Sequence, residues 1–310
     1  MSNSNEEPSQ WISGVILAIA GTFLFALKSI FIKLAYAEGA SKETVLMLRM
    51  LIATPFYAGM LIYLRKIQHD KPDVNWKKAA HFMSLGFLGY YLASFLDLAG
   101  LELITAQLER LTLFTYPTMI AVLAWMFLGE KITLKIIASL LFCYIGLYMM
   151  YAQERFTFNN DNATTGVILV LGAALSYSIY VILSKSSIQK YGSRKFTSIA
   201  MLGSTLFVSI HFLSTQQISD LWAGKLVWFH CFMLSFFCTV IPSFMVTEAI
   251  ARIGATRTTI LGSAGPVFTI VIAVFTLGEP FTYSHLVGII LVLCGVFLVS
   301  KKNKTSIRKA

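Results

Sequence analysis

Residues 101–130 read LELITAQLERLTLFTYPTMIAVLAWMFLGE, a stretch that is long and apolar enough to cross a membrane. It nevertheless carries Glu109 and Arg110 side by side, with Pro117 near its middle. A charged side chain at the centre of a bilayer costs about 3 kcal/mol or more. The acid, the base and the helix breaker therefore predict a helix that faces water or a substrate instead of lipid.

The composition of the whole chain indicates a membrane protein. Of its 310 residues 56% are hydrophobic and only 13% are charged, and the mean hydropathy is +0.71. Soluble domains carry about 25% charged residues. The net charge of +10 would suit a nucleic acid. In so apolar a chain it is better explained by basic cytoplasmic loops, and we expect no nucleic-acid partner.

The apolar runs predict an all-α integral membrane protein with ten transmembrane helices. About 20 apolar residues are needed to cross the hydrocarbon layer. By this criterion the spans cover residues 12–36, 43–64, 79–98, 102–128, 132–152, 166–188, 196–213, 228–248, 255–277 and 282–300.

The basic residues outside the spans predict the orientation. With a cytoplasmic N-terminus, seventeen Lys and Arg residues fall on the cytoplasmic side and three on the other. The positive-inside rule then places both termini in the cytoplasm. The predicted parts are a cytoplasmic N-terminus (1–11), two five-helix units (12–152 and 166–300), an extracytoplasmic linker (153–165) and a basic cytoplasmic tail (301–310). We expect a bacterial inner membrane, with lipid as the surrounding partner.

The two five-helix units resemble one another. GVILAIAGTFLFALKSIFIKLAYAEGA from residue 14 aligns with GVILVLGAALSYSIYVILSKSSIQKYG from residue 166. PTMIAVLAWMFLGE from Pro117 aligns with PVFTIVIAVFTLGE from Pro266, which pairs Glu130 with Glu279. Because five is odd, the second unit is inverted relative to the first. Inverted repeats with a site at their interface are typical of secondary transporters.

These features resemble the EamA branch of the drug/metabolite transporter superfamily. The resemblance rests on the ten spans, the two halves, LERLTLFTYPT followed by LGEKIT, and GPVFTIVIAVFTLGEP in the second half. It implies a secondary transporter that exports amino acids or other small metabolites by alternating access, without ATP hydrolysis. In agreement, the sequence has no GxxxxGK[ST] phosphate-binding loop.

Four charged residues are predicted to form one level in the outer half of the membrane: Lys28, Arg49, Glu109 and Arg110. They would line a polar cavity that opens outward and attracts a carboxylate, which Arg binds in bidentate fashion. Glu109 would balance the cations, contact a substrate ammonium or carry a coupling proton. Alternatively, the charges form a structural ion-pair network, for instance between Glu109 and Arg49. Asp97 is expected nearer the outer surface.

The aligned positions in the second half are uncharged. Lys28 aligns with Tyr180, and Glu109 and Arg110 align with Thr258 and Thr259, so we expect these three to line the inner vestibule. In the fourth span, the seven-residue spacing of Glu102, Glu109 and Tyr116 predicts one shared helix face, with Tyr116 beside the substrate. Pro117 and Pro266 are interpreted as hinges for gating or as static kinks.

Other classes of function lack sequence support. The five histidines are scattered without metal-ligand spacing, and no Ser–His–Asp arrangement is recognisable, so we expect no enzyme activity, metal or cofactor. We predict a functional monomer that transports a small polar metabolite, an amino acid or a related zwitterionic or anionic compound, by export. Uptake or exchange is the alternative direction, and a channel or receptor is the alternative class.

Overall fold

The computed structural model describes residues 8–67, 72, 74–129 and 132–300, and the predicted tail (301–310) and Glu130 lie outside them. Within these ranges all regular structure is helical. The α-helices are α1 (Pro8–Ala26), α2 (Lys28–Ala37), α3 (Lys42–Ile67), α4 (Trp76–Gly86), α5 (Ala93–Leu103), α6 (Ala106–Leu113), α7 (Tyr116–Leu128), α8 (Leu134–Ala152), α9 (Ala163–Tyr191), α10 (Ser193–Thr215), α11 (Lys225–Phe232), α12 (Ile241–Ile253), α13 (Ala255–Gly262), α14 (Gly265–Leu277) and α15 (Tyr283–Ser300). A short 3-10 helix covers Ile218–Leu221, and π-helical segments cover Phe87–Leu92, Gln153–Thr157 and Met233–Val240.

Ten helical segments of this fold correspond to the ten predicted spans. Eight are long and apolar enough to cross a membrane: Gln10–Ala37, Lys42–Ile67, Trp76–Leu103, Ala106–Phe127, Leu134–Thr157, Ala163–Tyr191, Ser193–Thr215 and Lys225–Ile250. Two shorter apolar helices, Gly265–Leu277 and Tyr283–Leu298, complete the set. The prediction of an all-α membrane protein with ten spans is confirmed.

The boundary between the third and fourth spans differs from the prediction. The third span continues to Leu103, and Glu102 therefore lies on α5 and not at the start of the fourth span. Thr105 is extended and begins α6, with its hydroxyl accepting from the Leu108 N–H at 3.2 Å. The predicted shared face of Glu102, Glu109 and Tyr116 is wrong, because the chain turns between the first two residues.

The fourth and ninth spans are each broken into two helices, α6–α7 and α13–α14. Pro117 and Pro266 are the second residues of α7 and α14, where a missing backbone N–H removes no helical hydrogen bond. Both helices end at a glycine in the left-handed region, Gly129 with φ +67° and Gly278 with φ +66°. The sequence-aligned halves thus share these local structures residue by residue.

The main helix pairs each join one half of the chain to the other. The most extensive packing is between α8 and α15, α5 and α9, α1 and α12, and α3 and α10. When each span is replaced by its counterpart in the other half, the same four helix pairs result, as a pseudo-two-fold relation between the halves requires. The halves are therefore interleaved and bury one another's polar and small residues.

Ten consecutive crossings bring the start of α1 and the end of α15 to the same end of the bundle. We call it the terminal end and the other the opposite end. Large apolar side chains cover the outside of the bundle, with Phe275, for example, 85% exposed. Such a surface is stable only in lipid, in agreement with an integral membrane protein.

Candidate functional site

A cavity of about 460 Å³ lies between the two halves and contains the charged residues of the bundle interior. Lys28, Arg49, Asp97 and Arg110 line it at one level. Aromatic and small polar residues line the remainder: Tyr57, Tyr90, Phe114, Tyr116, Tyr177, Thr197, Thr239, Ser243 and Thr258 are among them. Three of the four predicted charged residues thus share one cavity.

The break between α1 and α2 positions Lys28 at the start of α2. Its Nζ donates to Oδ2 of Asp97 on α5 at 2.5 Å, and both residues line the cavity. Asp97 was expected nearer the surface, yet only 2% of it is exposed. Its position in the apolar run SFLDLAGL was the available signal, because an acid within a span is a candidate functional residue.

Glu109 and Arg110 are neighbours on α6 and both contact Ser29, but only Arg110 lines the cavity. Glu109 is fully buried and lies behind the cavity lining, where its Oε2 accepts from the Ser29 hydroxyl at 2.6 Å. Arg110 lines the cavity, and its Nη2 donates to the same Ser29 Oγ at 2.8 Å and to the Phe25 carbonyl at 3.2 Å. Its buried Nε has no hydrogen-bond partner among the described residues.

Arg49 on α3 is held by hydroxyl groups. Its Nε donates to Thr239 Oγ1 at 3.3 Å and its Nη1 to Ser94 Oγ at 3.5 Å. The alternative of an ion pair between Glu109 and Arg49 is wrong, because the Glu109 carboxyl accepts from Ser29 and the Arg49 guanidinium donates to Thr239 and Ser94. Within the described part of the chain, neither Arg49 nor Arg110 forms an ion pair with a carboxylate.

Tyrosines form one wall of the cavity. Tyr116 lines it next to Pro117 and packs edge to face on Tyr177 with ring centres 5.4 Å apart. Tyr180, predicted to line the vestibule, is 4% exposed and lies behind the lining, where its hydroxyl donates to the Tyr90 hydroxyl at 3.1 Å. Tyr90 takes the lining position instead. The sequence repeat could not reveal this residue, because Tyr90 lies on a π-helical segment where the helical register shifts.

The other predicted residues of the second half differ in where they lie relative to the cavity. Thr258 on α13 lines it and donates its hydroxyl to the Gly254 carbonyl at 2.9 Å. The backbone of Thr259 belongs to α13, but its side chain lies outside the described residues. Pro266 is buried beside Gly265, and Gly265 lines the cavity in its place.

The cavity extends from the charged level to the terminal end of the bundle. Thr197 lies four residues inside α10, about 6 Å from the start of that helix at 1.5 Å per residue. At the opposite end Lys42 Nζ contacts Glu102 Oε2 at 3.2 Å, outside the lining. The expected opening toward the opposite side is therefore wrong for this structure, because ion pairs and helix caps close that end.

Two carboxylates from distant parts of the chain cap the start of α6. Glu279 accepts from the N–H groups of Ala106 (2.7 Å) and Gln107 (3.1 Å). Glu154 accepts from the N–H and hydroxyl of Thr105, at 3.0 and 2.7 Å. Burial raises the pKa of Glu279 despite its two backbone hydrogen bonds, which oppose the shift. The helix that carries Arg110 is thus anchored by the segment after α8 and by the segment after α14.

Comparison with known proteins agrees with these features. The chain is 28% identical to the uncharacterized transporter YcbK of Bacillus subtilis (strain 168), over 93% of this chain and 91% of that protein. It is 23% identical to the WAT1-related protein At1g25270 of Arabidopsis thaliana, over 93% and 89% respectively. A solved crystal structure superposes with a TM-score of 0.65 at 13% identity, over 92% of this chain and 95% of that one, and shares the fold.

The family comparison covers almost all of the ten spans. Residues 12–152 and 164–301 each match the EamA-like transporter family. The family and the relatives point to a transporter and not to an enzyme. The chain belongs to the EamA-like transporter family, and it is an integral membrane protein.

Proposed function

We propose that this transporter moves a small carboxylate-bearing metabolite, an amino acid or a related anion, by alternating access. The observation that carries the proposal is a pair of cavity-lining arginines, Arg49 and Arg110, each only 7% exposed. Neither has a carboxylate partner among the described residues. A buried cation without a counter-ion is costly, and a substrate carboxylate would supply the missing charge.

The remainder of the cavity supports a small substrate with an apolar part. Its volume of about 460 Å³ suits a compact metabolite, since ligand pockets commonly measure about 300–1,000 Å³. Tyr57, Tyr90, Tyr116 and Tyr177 provide flat apolar faces with polar hydroxyl tips. The substrate would place its carboxylate at the arginines and its body against this wall.

Export is the direction we propose. The cavity reaches the terminal end, and the excess of basic residues supports a cytoplasmic location for that end. A substrate would therefore enter from the cytoplasm in the conformation described here. Pro117 and Pro266, at the breaks of the fourth and ninth spans, would act as hinges when the cavity transfers to the opposite end.

The proposed setting is the inner membrane of a bacterium, with both termini in the cytoplasm and one chain as the functional unit. A complete cavity within a single chain supports the monomer. The apolar outer surface supports lipid as the only large partner. Attachment of a fluorescent tag to either terminus and protease treatment of sealed inverted vesicles would test the orientation: both tags should be cut.

Counterflow in proteoliposomes tests the function directly. The purified protein is reconstituted and loaded with one unlabelled compound, and the entry of its labelled form is followed across a panel of amino acids, dicarboxylates and aromatic carboxylates. We expect transient accumulation of at least one carboxylate, lost in Arg110→Gln and retained in Arg155→Gln. Arg155 is a suitable control because it lies in the segment after α8 and pairs with Asp161 there.

Each contrary result has a specific meaning. Flux without counterflow would identify a channel. Chemical conversion of the compound would identify an enzyme. Counterflow of uncharged compounds only, unaffected by Arg110→Gln, would contradict the carboxylate proposal.

A further inference from the structure

We propose that Asp97 and Glu109 form a carboxyl pair that binds a proton, and that this proton promotes binding of the substrate anion at Arg110. The inference rests on the proposed function and adds to it a proton site whose occupancy is linked to binding of the anion. It assigns a role to Asp97, which lines the cavity, and to Glu109, which lies behind it.

The geometry of the pair is set by two consecutive residues at the start of α2. Lys28 donates to Oδ2 of Asp97 at 2.5 Å, and Ser29 donates to Oε2 of Glu109 at 2.6 Å. The remaining oxygens, Asp97 Oδ1 and Glu109 Oε1, are buried and receive no hydrogen bond from any described residue. The two carboxyl groups lie within hydrogen-bonding reach of each other.

A proton between the two carboxyl groups satisfies both remaining oxygens. Two ionised carboxylates in contact repel each other, and neither can donate a hydrogen bond to the other. When one carboxyl is protonated, its O–H donates to the other and the repulsion disappears. Glu109 is the better place for the proton, because Lys28 already neutralises Asp97 whereas, within the described ranges, Glu109 accepts only from the neutral Ser29 hydroxyl.

The charged groups around the pair come from three helices. Lys28 and Lys33 approach from α2, Arg49 from α3 and Arg110 from α6, and the neutral Tyr36 hydroxyl also lies nearby. Lys28 is the only one of the four cations in an ion pair with either carboxyl group. The charge on Glu109 therefore decides how much of the positive potential remains for a ligand.

Ser29 connects this proton to the substrate site. Its hydroxyl donates to Glu109 and accepts from Arg110 Nη2 at 2.8 Å, so one oxygen separates the carboxyl from the guanidinium. An ionised Glu109 would neutralise Arg110 through this contact. A protonated Glu109 leaves the full charge of Arg110 available to a carboxylate in the cavity. Proton and anion then bind together, and the affinity for the anion rises as the pH falls.

Infrared spectroscopy of the protein in lipid tests the proton site without a substrate. We expect a carbonyl band of a protonated carboxylic acid that grows as the pH falls. The component of this band that belongs to Glu109 should be lost in Glu109→Gln, shifted in Asp97→Asn and shifted in Ser29→Ala, which removes the hydroxyl donor, while the component from Glu279 remains. Asp161→Asn, at an exposed carboxylate far from the pair, is the matched control and should leave the band unchanged. A spectrum that none of the three changes alters would overturn the proposal.

Counterflow then tests the coupling. For a carboxylate that the protein transports, the apparent affinity should rise as the pH falls, by up to about tenfold per pH unit, the limit for one linked proton. Glu109→Gln should remove this dependence. A pH-independent affinity in the wild-type protein would refute the coupling while the transport proposal stands. An absence of transport would refute the latter, and the infrared result would still decide the proton site.

Discussion

At the scale of single residues, the cavity contains cations whose charge the protein does not balance. In the part of the chain that the structure describes, the side chain of Arg49 has only the hydroxyls of Thr239 and Ser94 as hydrogen-bond partners, at 3.3 and 3.5 Å. Hydroxyl contacts of this length compensate poorly for the loss of water around a guanidinium. The burial of this guanidinium therefore has an electrostatic cost that a bound anion would remove. Binding and stability are expected to conflict at this position.

This conflict can be measured with Arg49→Met. The change removes an unpaired buried charge and keeps most of the side-chain volume, so we expect the free energy of unfolding to rise by roughly 1–4 kcal/mol. Counterflow of the carboxylate should fall by at least about tenfold, because a charge-assisted contact is worth about 1.5–3 kcal/mol. Thermal unfolding in detergent and the transport assay give the two values.

The matched control is Arg155→Met, at an arginine that pairs with Asp161 outside the cavity. An exposed ion pair contributes at most about 1 kcal/mol, so this change should alter neither value appreciably. A less stable Arg49→Met protein that still transports at the wild-type rate would contradict the argument.

At the scale of helices, α6 is the element on which the site depends. It carries Glu109 and Arg110, and its first N–H groups are capped by Glu154 and Glu279. The breaks of the fourth and ninth spans at Pro117 and Pro266 could be predicted from the sequence, because proline acts locally. The sequence did not predict the turn at Thr105 or the two caps. Those depend on contacts between residues up to 173 positions apart, which composition and periodicity do not contain.

Glu279→Gln tests the cap through its pH dependence. Burial raises the pKa of Glu279 above its ordinary value of 4.5, so the folded protein retains this proton at a pH where the unfolded chain loses it. The resulting stability is complete below pH 4.5 and is lost as the pH rises through the raised pKa. Glutamine cannot titrate. The melting temperature of the wild-type protein should therefore fall relative to that of the variant as the pH rises through this window.

The control for this experiment is Glu38→Gln, at an exposed glutamate that follows α2. Its melting temperature should follow that of the wild-type protein at every pH. Parallel curves for the wild-type protein and Glu279→Gln would show that the cap does not titrate in the folded state.

A second test at this scale concerns the contact between α4 and α10. A Cβ on Gly86 would lie 2.1 Å from the carbonyl oxygen of Ala200, and this backbone atom can move only if the helices separate. We expect Gly86→Ala to destabilise the protein by about 1–3 kcal/mol, the usual effect of overpacking. Gly59→Ala on α3 is the matched control, because beyond the adjacent residues and backbone of α3 itself no described atom lies within 4 Å of its added methyl group. Alanine there should be neutral or stabilise by up to about 1 kcal/mol. Equal melting temperatures of the two variants would exclude a close contact.

At the scale of the whole molecule, two interleaved halves enclose one cavity that is charged at one level and aromatic elsewhere. The number of spans and the similarity of the halves could be predicted, since both are encoded in long apolar runs and repeated landmarks. The end to which the cavity extends could not, because it depends on how the helix ends of the two halves pack, which composition and periodicity do not contain. The hydrogen bonds of Lys28 and Glu109 could not be predicted either. They join two consecutive residues of α2 to two other helices: Lys28 contacts Asp97 on α5, and Ser29 contacts Glu109 on α6.

We expect the opposite end of the bundle to open and close during each transport cycle. In a Cys294→Ser background, Lys42→Cys and Glu102→Cys place two thiols where an ion pair of 3.2 Å now joins α3 to α5. A short bismaleimide should connect them and reduce counterflow to background, because the cavity can then no longer transfer to that end. The untreated double variant and each treated single variant should still transport. Full counterflow after complete cross-linking would refute alternation at this end.

The interleaved packing also has a consequence for biosynthesis. The principal partners of α1, α3 and α5 are α12, α10 and α9, which leave the ribosome later. Until those helices enter the membrane, the first half has no enclosed cavity for Arg49, Asp97 and Arg110. The charged residues therefore stay on an open side of the first half during synthesis, and insertion of the second half is the step that encloses them.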